Sequence, residues 1–354
     1  MMKFSKNIAF SGIAAMILAS TLASCDKVSP LGVLVSGTGV NDRVEMSATY
    51  YKKYLNDSID MKAPGNGEYS FLVGSDSHVT TDGGRITEMI DSGLAHGDLF
   101  WTHLGDIADT KAEYYITLDS VLQKGKSDYI LKYFETDVSE FGNIYWYDSR
   151  YPHGADDPDY ENHYTTQKLF SKEFKLPFFP VVGNHDLTHN GWALYTSMFG
   201  SSFYEFDVKI GNQNVYDHFI FLDTANGTLG EKQIHYIEEG MLKSDKEIRH
   251  TFVFGHTNLF RPSSNQFAST FPREELYYLL NKFDDWACTI VFCGHVHKWD
   301  DRTIGDVRYL TLDSMSERNC PNPGDYLVRV TCKPDGTLNV EKVHMSYTAA
   351  SAKK

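Results

Sequence analysis

The sequence is poor in basic residues and contains no run or stripe of them. It has 33 lysine and arginine residues against 47 aspartate and glutamate residues, which gives a formal net charge of −14. Proteins that bind DNA or RNA depend largely on lysine and arginine to neutralise the backbone phosphates. The charge balance therefore argues against nucleic acid as a partner.

Cysteine is also scarce, with five residues in a chain of 354. Cys288 and Cys293 lie on one predicted strand, and their spacing places the side chains on opposite faces, so these two thiols are not expected to bridge each other. A disulfide between Cys320 and Cys332 is left open by the sequence. We expect most of these residues to be small buried hydrophobic side chains.

No segment is long and apolar enough for a typical membrane-spanning helix. The apolar segment Ile8–Leu22 has about fifteen residues, whereas a span needs roughly 20. It follows Lys3 and Lys6 and ends in Leu22-Ala23-Ser24-Cys25. This pattern resembles a bacterial lipoprotein signal, in which residues 1–24 are removed and the Cys25 thiol is acylated. The resemblance implies a lipid anchor in the bacterial cell envelope, on the periplasmic or surface side, with an uncleaved membrane anchor as the alternative.

No interior stretch is rich enough in proline and serine to separate two cores, so we predict one domain over residues 67–348. Residues 25–66 are interpreted as a tether and N-terminal segment, with a helix at 47–56. Within the domain, apolar spacing predicts a helix over residues 83–95, and another begins after Asp109. Alternating segments from Arg308 to Met345 predict a closing β-hairpin.

The chain between Asp109 and Gly183 is considerably longer than a helical crossover needs. The excess, at residues 128–168, contains an aromatic and acidic stretch. One interpretation is a lid or substrate wall, because long loops beside a crevice often shape specificity. The other is a surface excursion with a small hydrophobic cluster of its own.

Five short groups of aspartate, asparagine and histidine are the most informative feature of the chain. Each follows a short apolar run of the kind that forms a buried strand. Because open α/β sheets gather their ligands at the carboxyl ends of strands, we expect the groups to converge on one crevice. They are Asp76-Ser77-His78, Gly105-Asp106-Ile107-Ala108-Asp109, Gly183-Asn184-His185-Asp186, Gly255-His256 and Gly294-His295-Val296-His297.

In type and order these groups resemble the motifs of the calcineurin-like metallophosphoesterase family. The resemblance covers residues 67–348 and implies an α/β fold, a mixed β sandwich flanked by α-helices, with a dinuclear metal site at the strand C-termini. It assigns Asp76, His78 and His297 to the first metal, Asn184, His256 and His295 to the second, and Asp106 to both as the bridging ligand.

The implied cofactor is a pair of divalent or mixed-valence transition-metal ions. Nitrogen and oxygen ligands suit manganese, iron or zinc and leave the identity open. Two such ions can acidify a bridging water and offset the negative charge of a phosphoryl group. We also expect the two histidines of Gly294-His295-Val296-His297 to point to one side, as they would on a regular strand.

The resemblance assigns chemistry, rather than metal binding, to two further residues. It implies that His185 stabilises the transition state or protonates the leaving oxygen, and we expect Asp186 to orient it. Asp109 is expected to hold a metal ligand by a hydrogen bond. We interpret His103 and His235 as ordinary core or surface histidines, whereas His189 could reach the substrate.

Departures from the family pattern argue against some subfamilies. His78 and Asp109 stand where purple acid phosphatases have glycine and tyrosine. Asn258 stands where many relatives have proline, which leaves the loop 257–272 on the substrate side undefined. Too few residues follow His297 for the additional domain of periplasmic nucleotidases.

The sequence therefore predicts a lipid-anchored envelope hydrolase that cleaves a phosphomonoester or phosphodiester of a small molecule. The expected mechanism is in-line attack by a metal-bound hydroxide. A non-catalytic, metal-containing envelope binding protein is the alternative, and an envelope nuclease is opposed by the charge balance. The substrate and oligomeric state are left open.

Overall fold

The computed structural model describes residues 39–50, 61–80, 83–109, 112–124, 127–129, 176–264, 266–268 and 270–348. The helices in these ranges are α1 (Val40–Tyr50), α2 (Gly84–His96), α3 (Ala112–Lys124), α4 (Gly191–Phe199), α5 (Gly230–Glu238) and α6 (Arg273–Asp285), together with a 3-10 helix at His185–Asn190. None of these helices combines the length and apolar character needed to cross a membrane.

The described strands form two sheets. The strands are β1 (Met61–Lys62), β2 (Tyr69–Gly74), β3 (Phe100–His103), β4 (Ser127–Tyr129), β5 (Leu176–Pro180), β6 (Tyr204–Lys209), β7 (Tyr216–Phe221), β8 (Ile248–Phe254), β9 (Cys288–Cys293), β10 (Asp300–Ile304), β11 (Val307–Thr311), β12 (Gly324–Cys332) and β13 (Leu338–Met345). One sheet has the order β1-β6-β7-β8-β9-β11-β10, and the other has the order β13-β12-β2-β3-β5-β4. Both are mixed sheets, which confirms the predicted fold class.

The two sheets pack face to face through aromatic side chains. Phe71 of β2 meets Phe219 of β7 and Phe252 of β8 edge-on, with ring centroids 5.3 Å apart in both pairs. Phe100 of β3 makes the same kind of contact with Phe219, at 5.2 Å. Edge-to-face geometry is favourable for aromatic rings and adds to the burial of their large apolar surface. The core of the sandwich is therefore largely aromatic.

The strands that precede the five motifs are β2, β3, β5, β8 and β9, so the predicted strands are confirmed with small shifts of their ends. β2, β3 and β5 run parallel in one sheet, and β8 and β9 run parallel in the other. Their carboxyl ends lie at one edge of the sandwich, because parallel strands end on the same side. This arrangement positions the site.

The interpretation of residues 25–66 as a tether is wrong for the part that the structure describes. Helix α1 begins at Val40, upstream of the predicted helix, and Val44 is fully buried. Arg43 is also fully buried, and its guanidinium contacts the carboxylate of Asp223 twice, at 2.9 Å each. Strand β1 pairs in parallel with β6. The described residues 39–50 and 61–62 are thus an integral part of the domain.

Several other expectations can be compared with the described residues. The closing hairpin is confirmed as β12 and β13, which pair antiparallel. The four described cysteines are free, so the bridge between Cys320 and Cys332 is not formed, and Cys288, Cys293 and Cys332 are buried. Residues 1–38, which contain the predicted signal sequence and Cys25, lie outside the described residues. The insertion at 128–168 lies outside them as well, apart from its first two positions.

The buried ion pair of α1 yields a prediction about stability. Replacing Arg43→Ala leaves the buried carboxylate of Asp223 without its cation, which typically lowers the free energy of unfolding by about 3–5 kcal/mol. The control is Lys232→Ala, which removes an exposed pair between α5 and α1, at 3.5 Å from Glu45, and should change stability by about 1 kcal/mol or less. Urea unfolding measures both changes. If the two variants lose equally little unfolding free energy, α1 is a loose tether and not part of the core.

Candidate metal centre

All seven predicted metal ligands lie together at the carboxyl edge of the strands. Asp106 belongs to two groups of side chains whose nitrogen and oxygen atoms converge. Asn184 joins the second group, with its side-chain oxygen 2.9 Å from His256 Nε2. The first group is Asp76, His78, Asp106 and His297, and the second is Asp106, His256 and His295.

The carboxylate of Asp106 is shared by the two groups, one oxygen to each. Its Oδ2 lies 3.8 Å from His78 Nε2 in the first group, and its Oδ1 lies 3.5 Å from His256 Nε2 in the second. A carboxylate oriented in this way can bind two cations at once. The geometry fits the bridging role that the sequence predicts for Asp106.

The ring nitrogens of the histidines point at common positions where a cation could bind. His78 Nε2 and His297 Nε2 lie 3.2 Å apart, and so do His295 Nδ1 and His256 Nε2. The opposite nitrogen of His256 donates to the carbonyl of Leu104 at 2.7 Å, which leaves its Nε2 as the lone-pair donor. Fixing the second ring nitrogen in this way is typical of histidines that bind metals.

The charge of the site also fits two cations. Asp76 is fully buried and Asp106 nearly so, and burying carboxylates is unfavourable unless they are paired. Burial opposes the positive charge of His78, but the hydrogen bond to Asp109 and the charges of Asp106 and Asp76 raise its pKa to about 9. The carboxylates therefore favour positive charge at this position. Burial and the neighbouring His256 lower the pKa of His295 to about 4, which keeps that ring in the neutral form that binds metal.

The backbone is strained where it presents the ligands. Seven residues other than glycine in the described part of the chain have a positive φ, and five of them are predicted ligands. Left-handed backbone costs such residues about 1–3 kcal/mol each and tends to occur at functional sites. The five are Asp76 (φ 51°), His78 (φ 44°), Asp106 (φ 53°), His295 (φ 72°) and His297 (φ 51°).

This strain corrects the expectation for His295 and His297. Both residues lie beyond the end of β9 on a bend, not on a regular strand. His295 uses Nδ1 toward the second group, and His297 uses Nε2 toward Asp76 in the first, at 3.2 Å. The left-handed turns, rather than the alternation of a strand, distribute the two rings between the groups.

Two motif glycines are required by the close approach of neighbouring chain segments. A Cβ atom on Gly183 would collide with the backbone nitrogen and the carboxylate of Asp106. A Cβ atom on Gly294 would collide with Ser75 Oγ and the carboxylate of Asp76. The glycines therefore let loops from different strands bring their ligands together.

The carboxylate beside His185 is Asp109, so the expectation that Asp186 orients His185 is wrong. His185 Nδ1 lies 3.3 Å from Asp109 Oδ1, and the same oxygen lies 2.9 Å from His78 Nδ1. Burial opposes the positive charge of His185, but the hydrogen bond to Asp109 and the charge of Asp106 raise its pKa. The expected contact of Asp109 with a ligand is present, and the contact with His185 was missed because it depends on tertiary structure.

Asp186 instead holds the loops together from inside the protein. Its carboxylate accepts hydrogen bonds from the backbone of Ile107 at 3.0 Å and of Gly183 at 2.8 Å, and from the hydroxyl of Tyr115 at 3.1 Å. Burial and the charge of Asp106 raise the pKa of Asp186 to about 6. Its role is to fix the loops that carry Asp106 and Asn184.

The remaining histidines fall into different classes. His103 is fully buried, and neither ring nitrogen has a hydrogen-bond partner among the described residues, so it is not the ordinary core histidine that we expected. Burial lowers its pKa to about 3, which keeps the ring neutral. His235 is a surface residue of α5, 3.3 Å from Glu239. The side chain of His189 lies outside the described part of the structure.

Another cluster of histidine and carboxylates, around Asp207, is paired with positively charged side chains of the protein itself. His218 Nδ1 lies 2.7 Å from Asp207 Oδ1, and its Nε2 donates to the carbonyl of Leu242 at 3.0 Å. The other oxygen of Asp207 lies 3.0 Å from the ammonium of Lys246. We therefore interpret this cluster as an ion-pair network.

Comparisons with known proteins identify the family of this chain. The family model of the calcineurin-like phosphoesterases matches residues 69–299. No curated protein matches the chain. Among solved structures, a dimetal phosphatase from Danio rerio is similar at 11% identity, with a TM-score of 0.43, and the match covers 81% of this chain and 100% of that one. The anchor in the inner membrane complex of Plasmodium is similar at 14% identity, with a TM-score of 0.46, covering 80% and 90% respectively.

The family match spans the strands β2 to β9 and all seven predicted ligands. The chain belongs to the calcineurin-like phosphoesterase family, whose members hydrolyse phosphoric esters.

Proposed function

We propose that this protein hydrolyses a phosphomonoester or phosphodiester of a small molecule with the help of two transition-metal ions. The carboxylate of Asp106, which offers one oxygen to each ligand group, is the observation that carries the proposal. Manganese, iron and zinc all suit ligands of this type. When bound, the two ions would acidify the attacking water and offset the charge of the phosphoryl group.

The chain itself would supply the proton for the leaving group. His185 is partly exposed and lies outside the two groups that share Asp106, in a third cluster with Asp109 and His78. Its pKa is raised through Asp109, so the imidazolium form is available near neutral pH. A non-catalytic binding protein would need the metal ligands but not this pair. The proposal therefore favours catalysis over the alternative of ligand capture.

We further propose that the mature protein is attached to the bacterial cell envelope by a lipid on Cys25. The support is the sequence Leu22-Ala23-Ser24-Cys25 after a short apolar segment with two preceding lysines. A small phosphate ester in the envelope is then the expected substrate. Nucleic acid is not expected, because the net charge of −14 repels a polyanion.

The first prediction that follows from the proposed function concerns Asp106. Asp106→Asn should remove hydrolysis and lower the metal content from about two equivalents per chain, because an amide cannot bridge two cations as a carboxylate does. Elemental analysis and turnover of 4-nitrophenyl phosphate measure the effect, with circular dichroism to check the fold. The control is Asp301→Asn, an exposed residue paired with Arg308. Near-normal turnover in Asp106→Asn would refute the dinuclear assignment.

The second prediction concerns His185. Expelling an alkoxide requires a proton, whereas nitrophenolate leaves readily without one, and general acid catalysis is typically worth about 10²–10⁴-fold. His185→Ala should therefore slow an alkyl phosphate much more than 4-nitrophenyl phosphate, with metal content unchanged. Asp109→Asn should show the same selectivity to a smaller extent. Single-turnover rates that fall by one common factor for both esters contradict the general-acid role.

The third prediction concerns the lipid anchor. The mature protein should partition with membranes and incorporate labelled fatty acid in its bacterial host, and Cys25→Ala should abolish the labelling because no thiol is left to acylate. Cys320→Ala is the control, since this cysteine lies in the folded domain and is partly exposed. Labelling that persists in Cys25→Ala argues against the anchor.

A further inference from the structure

One arginine contacts Asp109, beside the predicted metal ligands, from a loop that carries none of the sequence motifs. Arg318 Nη1 lies 3.5 Å from Asp109 Oδ2. The other oxygen of Asp109 faces His78 and His185, at 2.9 and 3.3 Å. A single carboxylate therefore separates the guanidinium from both a predicted ligand and the predicted general acid.

The loop that carries Arg318 is fixed to the ligand Asp76. It follows β11, which runs parallel to β9 and so ends at the same edge of the sheet. The backbone nitrogens of Met315 and Ser316 donate to the carbonyls of Ser75 and Asp76, at 2.8 and 3.1 Å. Ser314 Oγ also donates to the carbonyl of Asp76, at 2.7 Å.

A buried arginine supports the same loop from its inner side. Arg85 of α2 donates to the carbonyls of Met315 at 3.0 Å, Cys320 at 2.7 Å and Asn322 at 2.9 Å. Arg318 lies between these anchor points, and its own backbone nitrogen donates to Ser316 Oγ at 3.2 Å. The position of Arg318 beside the site is therefore determined by the fold.

The guanidinium of Arg318 makes only a weak contact with its partner Asp109. Its side chain is 59% exposed, and exposed ion pairs contribute little to stability. A guanidinium has five N–H donors in a planar fork that suits phosphate oxygens. Among the described residues the guanidinium has one side-chain contact, at 3.5 Å, which leaves most of this capacity for a stronger anion.

We propose that Arg318 binds a terminal oxygen of the substrate phosphate and makes the enzyme selective for phosphomonoesters over phosphodiesters. This inference rests on the proposed function and refines it. A monoester dianion has three terminal oxygens and about two negative charges near neutral pH, whereas a diester has two terminal oxygens and one charge. The guanidinium therefore gains most from the monoester. Within an acidic protein, it supplies positive charge where Asp109 would otherwise repel the substrate.

Two esters with the same leaving group test the proposal on the full, metal-loaded protein. They are 4-nitrophenyl phosphate and bis(4-nitrophenyl) phosphate. Arg318→Gln should lower kcat/KM for the monoester by about ten- to a hundredfold, because a charge-assisted hydrogen bond is lost, and should affect the diester much less. Arg318→Lys should recover part of the activity on the monoester. The matched control is Arg308→Gln, which alters an arginine that is 34% exposed and paired with Asp301 and should leave both rates unchanged.

Each outcome separates recognition from other roles of Arg318. An equal fall on both esters would mean that Arg318 acts only by positioning Asp109, and unchanged rates would mean that it does not meet the phosphate. Either result overturns the proposal and leaves the proposed function intact. If the wild-type protein hydrolyses neither ester with manganese, iron or zinc, the proposed function fails instead. Calorimetric binding of inorganic phosphate then decides: weaker binding by Arg318→Gln supports the contact, and equal binding overturns it.

Discussion

The carboxylate of Asp106 between the two ligand groups is the interaction on which the site depends. It lies just beyond β3, and each of its oxygens faces a histidine of a different group. Bringing it there requires the chain to pass Gly183 at a distance that no Cβ atom would permit. The buried carboxyl of Asp186 then fixes the crossing by binding the backbone of both loops. The charge of Asp106 makes the site suitable for cations, and the close backbone packing at Gly183 allows Asp106 to lie there.

The site combines strain with rigid support. Five predicted ligands have left-handed backbone, which the unfolded chain would avoid. The surrounding sandwich offsets this strain through its aromatic core, in which Phe71 and Phe100 connect the two sheets. Bound cations would add to this support, because ligands that bind only the folded state stabilise it. Strain at the strand ends therefore fits a scaffold built to hold metals.

Much of the fold, and the set of side chains that converge at the strand ends, could be predicted from the sequence, because both depend on local patterns. The apolar runs before Asp76, Asp106 and His256 form strands that are buried on both faces, and such strands are recognisable from a few residues. The tether was misjudged for the opposite reason. Arg43 looks like a surface residue in a polar helix, and only its partner Asp223, far along the chain, explains its burial.

The sequence by itself, through its resemblance to a family with the same motifs, determined the identities of the seven predicted ligands and their order. The tertiary structure decided which charged groups contact the ligands and their neighbours. Asp109, rather than the adjacent Asp186, contacts His185, and Arg318 reaches Asp109 from a loop without a motif. These contacts join residues from different strands, and their geometry is set by loop crossings and left-handed turns. No periodicity or spacing along the chain encodes such distances.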